Sequence, residues 1–148
     1  MDPHLIPHAE RQAPRYTSYP SANHFDATVD APIFRRWLGS IGERATLSLY
    51  LHVPYCRQLC WYCGCNTFLT RGGDSGDFVT TTMMEIDLVA SALGSRTVDE
   101  VHWGGGTPNV LSAAEFLRLV HQLDFWFDIL PGARHAIELD PRHVTAEL

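Results

Sequence analysis

Between Leu47 and Val53 the chain alternates strictly, with Leu47, Leu49, Leu51 and Val53 pointing one way and Ser48, Tyr50 and His52 the other. A period of two is the signature of a half-buried strand. Pro54, which has no N–H to give a ladder, stops it. The strand runs directly into Cys56-Arg57-Gln58-Leu59-Cys60-Trp61-Tyr62-Cys63-Gly64-Cys65, so that all 4 cysteines of the 148-residue chain lie in this one loop. A strand that delivers thiols from its C-terminal end narrows the choice of folds, because open α/β sheets and barrels place their sites at that end.

The rest of the chain continues the strand-then-helix order. After a Gly-rich turn (Gly72, Gly73, Gly76), a helix is expected from Asp77 to Leu93, with Val79, Met83, Ile86, Ala90 and Leu93 at steps of four and three. Its methionines read as core filler rather than iron ligands. A second strand, Val98 to Trp103, leads into Gly104-Gly105-Gly106-Thr107-Pro108. Ser112 with Glu115 three residues on is a capping-box pattern, and Phe116, Leu119, Val120 and Leu123 form the stripe of the helix that follows. A third strand is expected from Ala136 to Asp140, where Ile137 and Leu139 alternate against Glu138 and Asp140 before Pro141. Right-handed crossovers in a β-α-β-α-β order lay the three strands parallel.

Two segments follow from this reading. Residues 1–45, with Pro3, Pro7, Pro14, Pro20 and Pro32, form an extended N-terminal arm ending in a short helix at Ala31–Leu38, and residues 46–148 form the α/β unit. Three strands cannot close a barrel, and the sequence stops where a third helix is expected. The unit therefore reads as truncated, with a strand edge and an apolar interior left open.

Composition excludes several function classes. The hydrophobic fraction of 45% is that of one soluble globular domain. A net charge of −6 without any run of Lys or Arg argues against a nucleic-acid partner. No apolar run approaches the roughly 20 residues that span a bilayer. The opening MDPHLIPHAERQ has neither the basic nor the apolar region of a secretory signal, so a cytoplasmic location with reduced thiols is expected. Structural zinc generally takes two ligand pairs separated by a longer stretch, and no second pair follows here. Buried inert cysteines would not crowd beside Arg57, Gln58 and Gly64. The spacing C-x3-C-x2-C over Cys56, Cys60 and Cys63 instead suits three corners of a cubane iron–sulfur cluster, with the fourth iron open to a ligand.

Pattern alone leaves other residues with two readings each. Gly104-Gly105-Gly106 is a plain tight turn, or a backbone that lets a ligand approach its N–H and C=O groups. Tyr50 and His52 face the cysteine loop or pack under a helix. Tyr62 stacks on an adenine or shields the loop from water. Glu138 is a solvated edge carboxylate or a hydrogen-bond partner for a ligand amine or ribose.

The cysteine spacing after a first strand, with a Gly-rich motif after the second, resembles the radical S-adenosylmethionine enzymes. The resemblance implies a [4Fe-4S] cluster whose free iron is chelated by the cofactor's methionine moiety, and a 5′-deoxyadenosyl radical formed by C–S cleavage. It also implies that the Gly-rich segment meets the methionine amino group through backbone oxygens. Five stretches narrow it further. Pro14-Arg15-Tyr16-Thr17-Ser18-Tyr19-Pro20, Tyr50-Leu51-His52-Val53-Pro54-Tyr55-Cys56, Leu59-Cys60-Trp61-Tyr62-Cys63-Gly64-Cys65-Asn66, Val101-His102-Trp103-Gly104-Gly105-Gly106-Thr107-Pro108 and Ile137-Glu138-Leu139-Asp140-Pro141-Arg142 resemble the oxygen-independent coproporphyrinogen III oxidase family, in order.

That likeness implies the N-terminal part of a partial (β/α)6 barrel with parallel strands. It implies an oxidoreductase that decarboxylates two propionates of coproporphyrinogen III to vinyl groups, giving protoporphyrinogen IX in haem biosynthesis, with two S-adenosylmethionine molecules per site. Cys56, Cys60 and Cys63 become the cluster ligands. Tyr50, Gly105 and Glu138 fall at the first cofactor, and Tyr62, Gly106 and Thr107 at the second. Cys65 is the family's extra cysteine, a catalytic candidate near the substrate. The expected partners are the porphyrinogen and an unidentified electron donor, with no nucleic acid or membrane, and the expected assembly is a monomer. Thr67 stands where many family members carry a basic residue. Resemblance to the family's first third also makes an incomplete, inactive fragment the expectation for this chain. A related haem chaperone, in which an aromatic commonly replaces Cys65, and a non-enzymatic remnant are the alternatives.

Overall fold

Alternation at Leu47–Val53 does produce a strand, β1, and its Leu51 and Val53 are buried while Tyr50 and His52 are exposed. The computed structural model describes His4, Ile6, residues 21–70 and residues 75–144. The Pro14–Pro20 motif, Gly72, Gly73 and the expected start of a further helix beyond Leu148 lie outside the described residues. Helix α1 (Ala31–Gly39) begins where Asp30 caps it, its carboxylate accepting from Ile33 N at 2.9 Å, and Pro32 fits the first turn because no N–H is needed there.

Pro54 breaks β1, and two very short strands follow, β2 (Tyr55–Cys56) and β3 (Phe68–Leu69), which pair in parallel across the cysteine loop. Helix α2 (Ser75–Leu93) starts two residues before the expected Asp77, so Gly76 belongs to its first turn rather than to a loop. Gly94 ends it at φ +70°, a conformation that costs glycine little, with its N–H on Ala90 O at 2.8 Å. Strand β4 (Thr97–Gly105) outruns its predicted end and carries Gly104 and Gly105 as ladder residues opposite His52 and Val53. A 3-10 turn (Pro108–Val110) leads to α3 (Ala113–Trp126), whose Ser112–Glu115 capping box is formed on both sides.

The third strand departs from expectation. Strand β5 spans Asp128–Ile137, so it begins eight residues before Ala136, and Glu138 and Asp140 lie beyond its end. Its register against β4 jumps from Val98↔Ile129 to Glu100↔Arg134, which loops out the stretch containing Pro131 and Gly132. A bulged strand with little burial tolerates a proline that a central strand would reject. The parallel order is β1-β4-β5.

One face of this sheet is dry. Leu51, Val53, Val98, Val101 and Trp103 pack there with Val79, Ile86, Ala90 and Leu93 of α2 and Leu119 and Leu123 of α3. The Trp103 and Phe116 rings lie 4.4 Å apart, and Asp87 of α2 accepts from Trp126 Nε1 of α3 at 2.6 Å and also from Gln122. The opposite face overturns the expected apolar interior. Ser48 Oγ donates to Glu100 at 3.3 Å, Arg134 meets the same carboxylate at 3.1 Å, and the Tyr50 and His102 rings stand edge to face at 5.4 Å. Alternation along β1, and along β4 from Glu100 after an irregularity between Val98 and Glu100, turns the aliphatic residues and Trp103 to the helices and leaves Ser48, Tyr50, Glu100 and His102 on the open side.

Candidate active site

The loop, the glycines and the residues after β5 all meet at the C-terminal end of the sheet. Cys56 closes β2 and is 7% exposed, with its Sγ 3.1 Å from Thr107 Oγ1 and 3.2 Å from Thr67 Oγ1. Tyr55 packs edge-on against Phe78 of α2 at 5.6 Å, and the β2–β3 pairing ties Phe68 N to Pro54 O and Thr70 N to Cys56 O. Cys60 is half-buried and its carbonyl accepts from Cys63 N at 3.0 Å, while Cys63 and Cys65 are exposed. All four thiols are free. Loss of solvent around Cys65, then its Cys63 neighbour and the charges of Glu138 and Cys56, push its thiol above the usual range.

Three glycines allow the close approaches. A Cβ on Gly104 would stand 2.8 Å from the Tyr50 ring and 2.9 Å from Glu138 Oε1. Gly105, at φ +109°, would place one 2.8 Å from His52 Cε1. On Gly106 it would meet Thr67 Oγ1 at 2.5 Å. Gly106 N donates to Val53 O at 2.7 Å, which fastens the exit of β4 to the end of β1.

Glu138 is an exposed carboxylate with a protein contact at each oxygen. Its N–H donates to Trp103 O at 2.9 Å, its Oε2 accepts from Gly105 N at 3.2 Å, and its Oε1 lies 3.4 Å from His102 Nε2. Tyr50 stands over Gly104 with its hydroxyl 3.1 Å from His52 Nδ1. Loss of solvent, then the charges of Glu138 and Cys65, raise its phenol above the usual range. Tyr50 and His52 thus point to the open side of the sheet, not under a helix. Tyr62 is 87% exposed at the loop tip beside Trp61, and Thr107 turns its side chain inward to Cys56.

Sequence reasoning missed a second support for the loop. Asp140 accepts from Arg142 Nε at 2.9 Å and Nη2 at 2.8 Å, and lies 3.0 Å from His143 Nδ1. These bonds, Arg142 foremost, hold its carboxyl well below the usual carboxylate range. The Arg142 guanidinium reaches on to Gln58 Oε1 at 2.9 Å, and Asp140 and Cys60 raise its own affinity for protons. Buried Asn109 fixes the Asp140 backbone from both sides at 3.1 Å. A lone Asp-Pro-Arg in the sequence carries no signal for these long-range contacts.

Among the described residues, no three His, Cys, Asp or Glu side chains converge as the ligands of a single ion do. Thiolates on a multi-iron cluster bind separate irons, so they need not converge on one point. The donor set here, three free thiols on one braced loop, suits such a cluster in chemistry.

Comparison with known proteins agrees with this arrangement. A family model described as the Radical SAM superfamily matches residues 50–148. The chain is 43% identical to an oxygen-independent coproporphyrinogen III oxidase of Bradyrhizobium diazoefficiens over 97% of its length, which is 32% of that relative. It is 38% identical to a protein of the same name from Mannheimia haemolytica, covering 93% of this chain and 94% of that one. The solved structure of coproporphyrinogen III oxidase from Escherichia coli, described as a radical SAM enzyme, matches 88% of this chain and 30% of its own, with a TM-score of 0.80 and 36% identity. The chain therefore spans about a third of the length of the first of these relatives and of the solved structure. It belongs to the radical SAM superfamily and, within it, to the family of oxygen-independent coproporphyrinogen III oxidases.

Proposed function

We propose that this chain forms the cofactor-binding end of an oxidase that converts two propionates of coproporphyrinogen III to vinyl groups, giving protoporphyrinogen IX. The observation that carries the reading is the meeting of Tyr50 and Glu138 at Gly104, with Glu138 also bonded to Gly105 N, beside the thiol loop. Cys56, Cys60 and Cys63 would hold a [4Fe-4S] cluster. With S-adenosylmethionine bound, that group supplies one-electron reductive cleavage of a sulfonium, and with it hydrogen abstraction from a propionate.

The chain's own residues bind, orient and shield. Glu138 Oε2 holds Gly105 N–H, and Oε1, which also lies 3.4 Å from His102 Nε2, retains acceptor capacity for a ligand amine or hydroxyl. The backbone at Gly104 and Gly105 has no side chain to keep a ligand away, and Tyr50 offers a protonated hydroxyl beside it. These are the groups assigned to a first S-adenosylmethionine. Tyr62, with its exposed ring, and the backbone of Gly106 and Thr107 are assigned to a second. Cys65, an exposed thiol on the same loop and outside the three-ligand set, is assigned a place near the substrate.

The same reading assigns a cytoplasmic monomer served by a separate electron donor. No helix among the described residues is long and apolar enough to cross a membrane. The test is anaerobic reconstitution with iron and sulfide. It should give roughly four irons per chain with a cubane EPR signal on reduction, and S-adenosylmethionine binding that depends on Glu138. Zinc retained without iron–sulfur absorption would overturn the assignment. Cys56→Ala should abolish the cluster and Cys65→Ala should leave it assembled.

A further inference from the structure

Cys56 differs from the other cysteines in its surroundings. Its sulfur is buried and has two hydroxyls beside it, Thr107 Oγ1 at 3.1 Å and Thr67 Oγ1 at 3.2 Å, whereas Cys63 and Cys65 face solvent. The two threonines arrive from different elements. Thr107 follows β4 and Thr67 precedes β3, and they reach the sulfur 51 and 11 residues away from it in sequence. Gly106 makes room for Thr67, since a Cβ there would stand 2.5 Å from the Thr67 hydroxyl.

The proton count distinguishes their roles. A metal-bound Cys56 is a thiolate and can only accept. Thr107, 9% exposed, then points its O–H at the sulfur. Thr67 has a second acceptor in reach, Pro54 O at 3.0 Å, whose carbonyl also accepts from Phe68 N at 2.7 Å, so its proton is divided between that oxygen and the sulfur. Hydrogen bonds to cluster sulfurs, together with solvent exposure, set the reduction potential of iron–sulfur centres.

We infer that Thr107 and Thr67 are positioning residues for the Cys56 ligand: their hydroxyls hold its sulfur in one direction and stabilise negative charge on it, which raises the reduction potential of a cluster bound there. This rests on the proposed cluster and adds a role that the cysteines alone do not specify. Removing a donor leaves the reduced, more negative state less stabilised, so the potential falls. The effect of Thr107 exceeds that of Thr67, whose proton is shared between two acceptors.

The test is an EPR-monitored redox titration of the anaerobically reconstituted protein and its Thr107→Val, Thr67→Val, Thr107→Ser and Thr67→Ser variants, with iron and sulfide counted in each. Valine keeps the shape and removes the hydroxyl, while serine keeps the hydroxyl. At the wild-type midpoint, the ratio of reduced to oxidised cluster should fall several-fold in Thr107→Val, less in Thr67→Val, and return towards wild type in the serine variants. Cluster loss confined to the valine variants would equally support the hydroxyl placement. Unchanged midpoints in fully loaded valine variants, or serine variants that behave like valine, would overturn the inference. Failure of the cluster reading would be separately visible, as absence of iron and sulfide from the wild-type protein.

Discussion

His52 Nε2 lies 3.0 Å from the carbonyl oxygen of Asn66, so the end of β1 is bonded to the far limb of the thiol loop. A carbonyl only accepts, and Nε2 therefore carries the hydrogen. In the neutral ring this leaves Nδ1 to accept from the Tyr50 hydroxyl at 3.1 Å. The tautomer is thus set by the loop, and the loop by the tautomer.

Replacing His52 by Phe keeps an aromatic ring and removes both bonds. Amide exchange across residues 57–67 should accelerate several-fold, with global stability lowered by only about 1 kcal/mol, the net worth of an ordinary hydrogen bond. Exchange that stays at the wild-type rate would mean that β2 and β3 hold the loop without help.

Gly105→Ala should destabilise the fold by roughly 1–3 kcal/mol, because φ is +109° and the new Cβ would press on the His52 ring. Gly132→Ala is the control, since nothing lies within 4 Å of a Cβ there and its effect should be within about 0.5 kcal/mol. Urea unfolding of both variants compares them directly.

Leu119 is fully buried between α3 and the sheet, whereas Leu117 is 51% exposed on the same helix. Leu119→Ala should cost about 2–5 kcal/mol and Leu117→Ala less than about 0.5 kcal/mol. Equal losses at both positions would contradict the direction in which α3 faces.

Asp140 has a depressed folded-state pKa, so its carboxylate adds stability above the usual carboxylate range and loses that contribution as pH falls through and below it. The stability gap between wild type and Asp140→Asn should be constant from neutral pH down to about 5, begin to shrink near about 4 and go on shrinking into strong acid. Urea midpoints measured across that range at fixed ionic strength would show it. A gap that widens in acid would mean that the Arg142 contact is not what lowers this pKa.

Much of the scaffold was legible because it obeys a period. Leu47–Val53 alternates over seven residues, and Ser112 with Glu115 states the start of α3 outright. Strand β5 was only half read, since Pro131 and Gly132 look like a turn when the partner strand that accommodates the bulge is not in view. Strands β2 and β3, two residues each, are too short to show any period. Glu138 was noticed, but its bond to Gly105 depends on two strand ends meeting in space. The Arg142–Gln58 contact bridges 84 positions and arises wholly from tertiary placement.

The pairing of Tyr55–Cys56 with Phe68–Leu69 has a thermodynamic consequence. It closes the thiol-bearing segment into a ring of chain whose ends are joined by backbone pairing of the protein's own residues. Folding therefore absorbs the entropy of loop closure, which grows only slowly with loop length. On the proposed reading, Cys56, Cys60 and Cys63 would then be offered to an iron–sulfur cluster at high effective concentration. A change that unzips Phe68 from Tyr55 would act on metal affinity from outside the ligand set, by returning that ordering cost to the moment of binding.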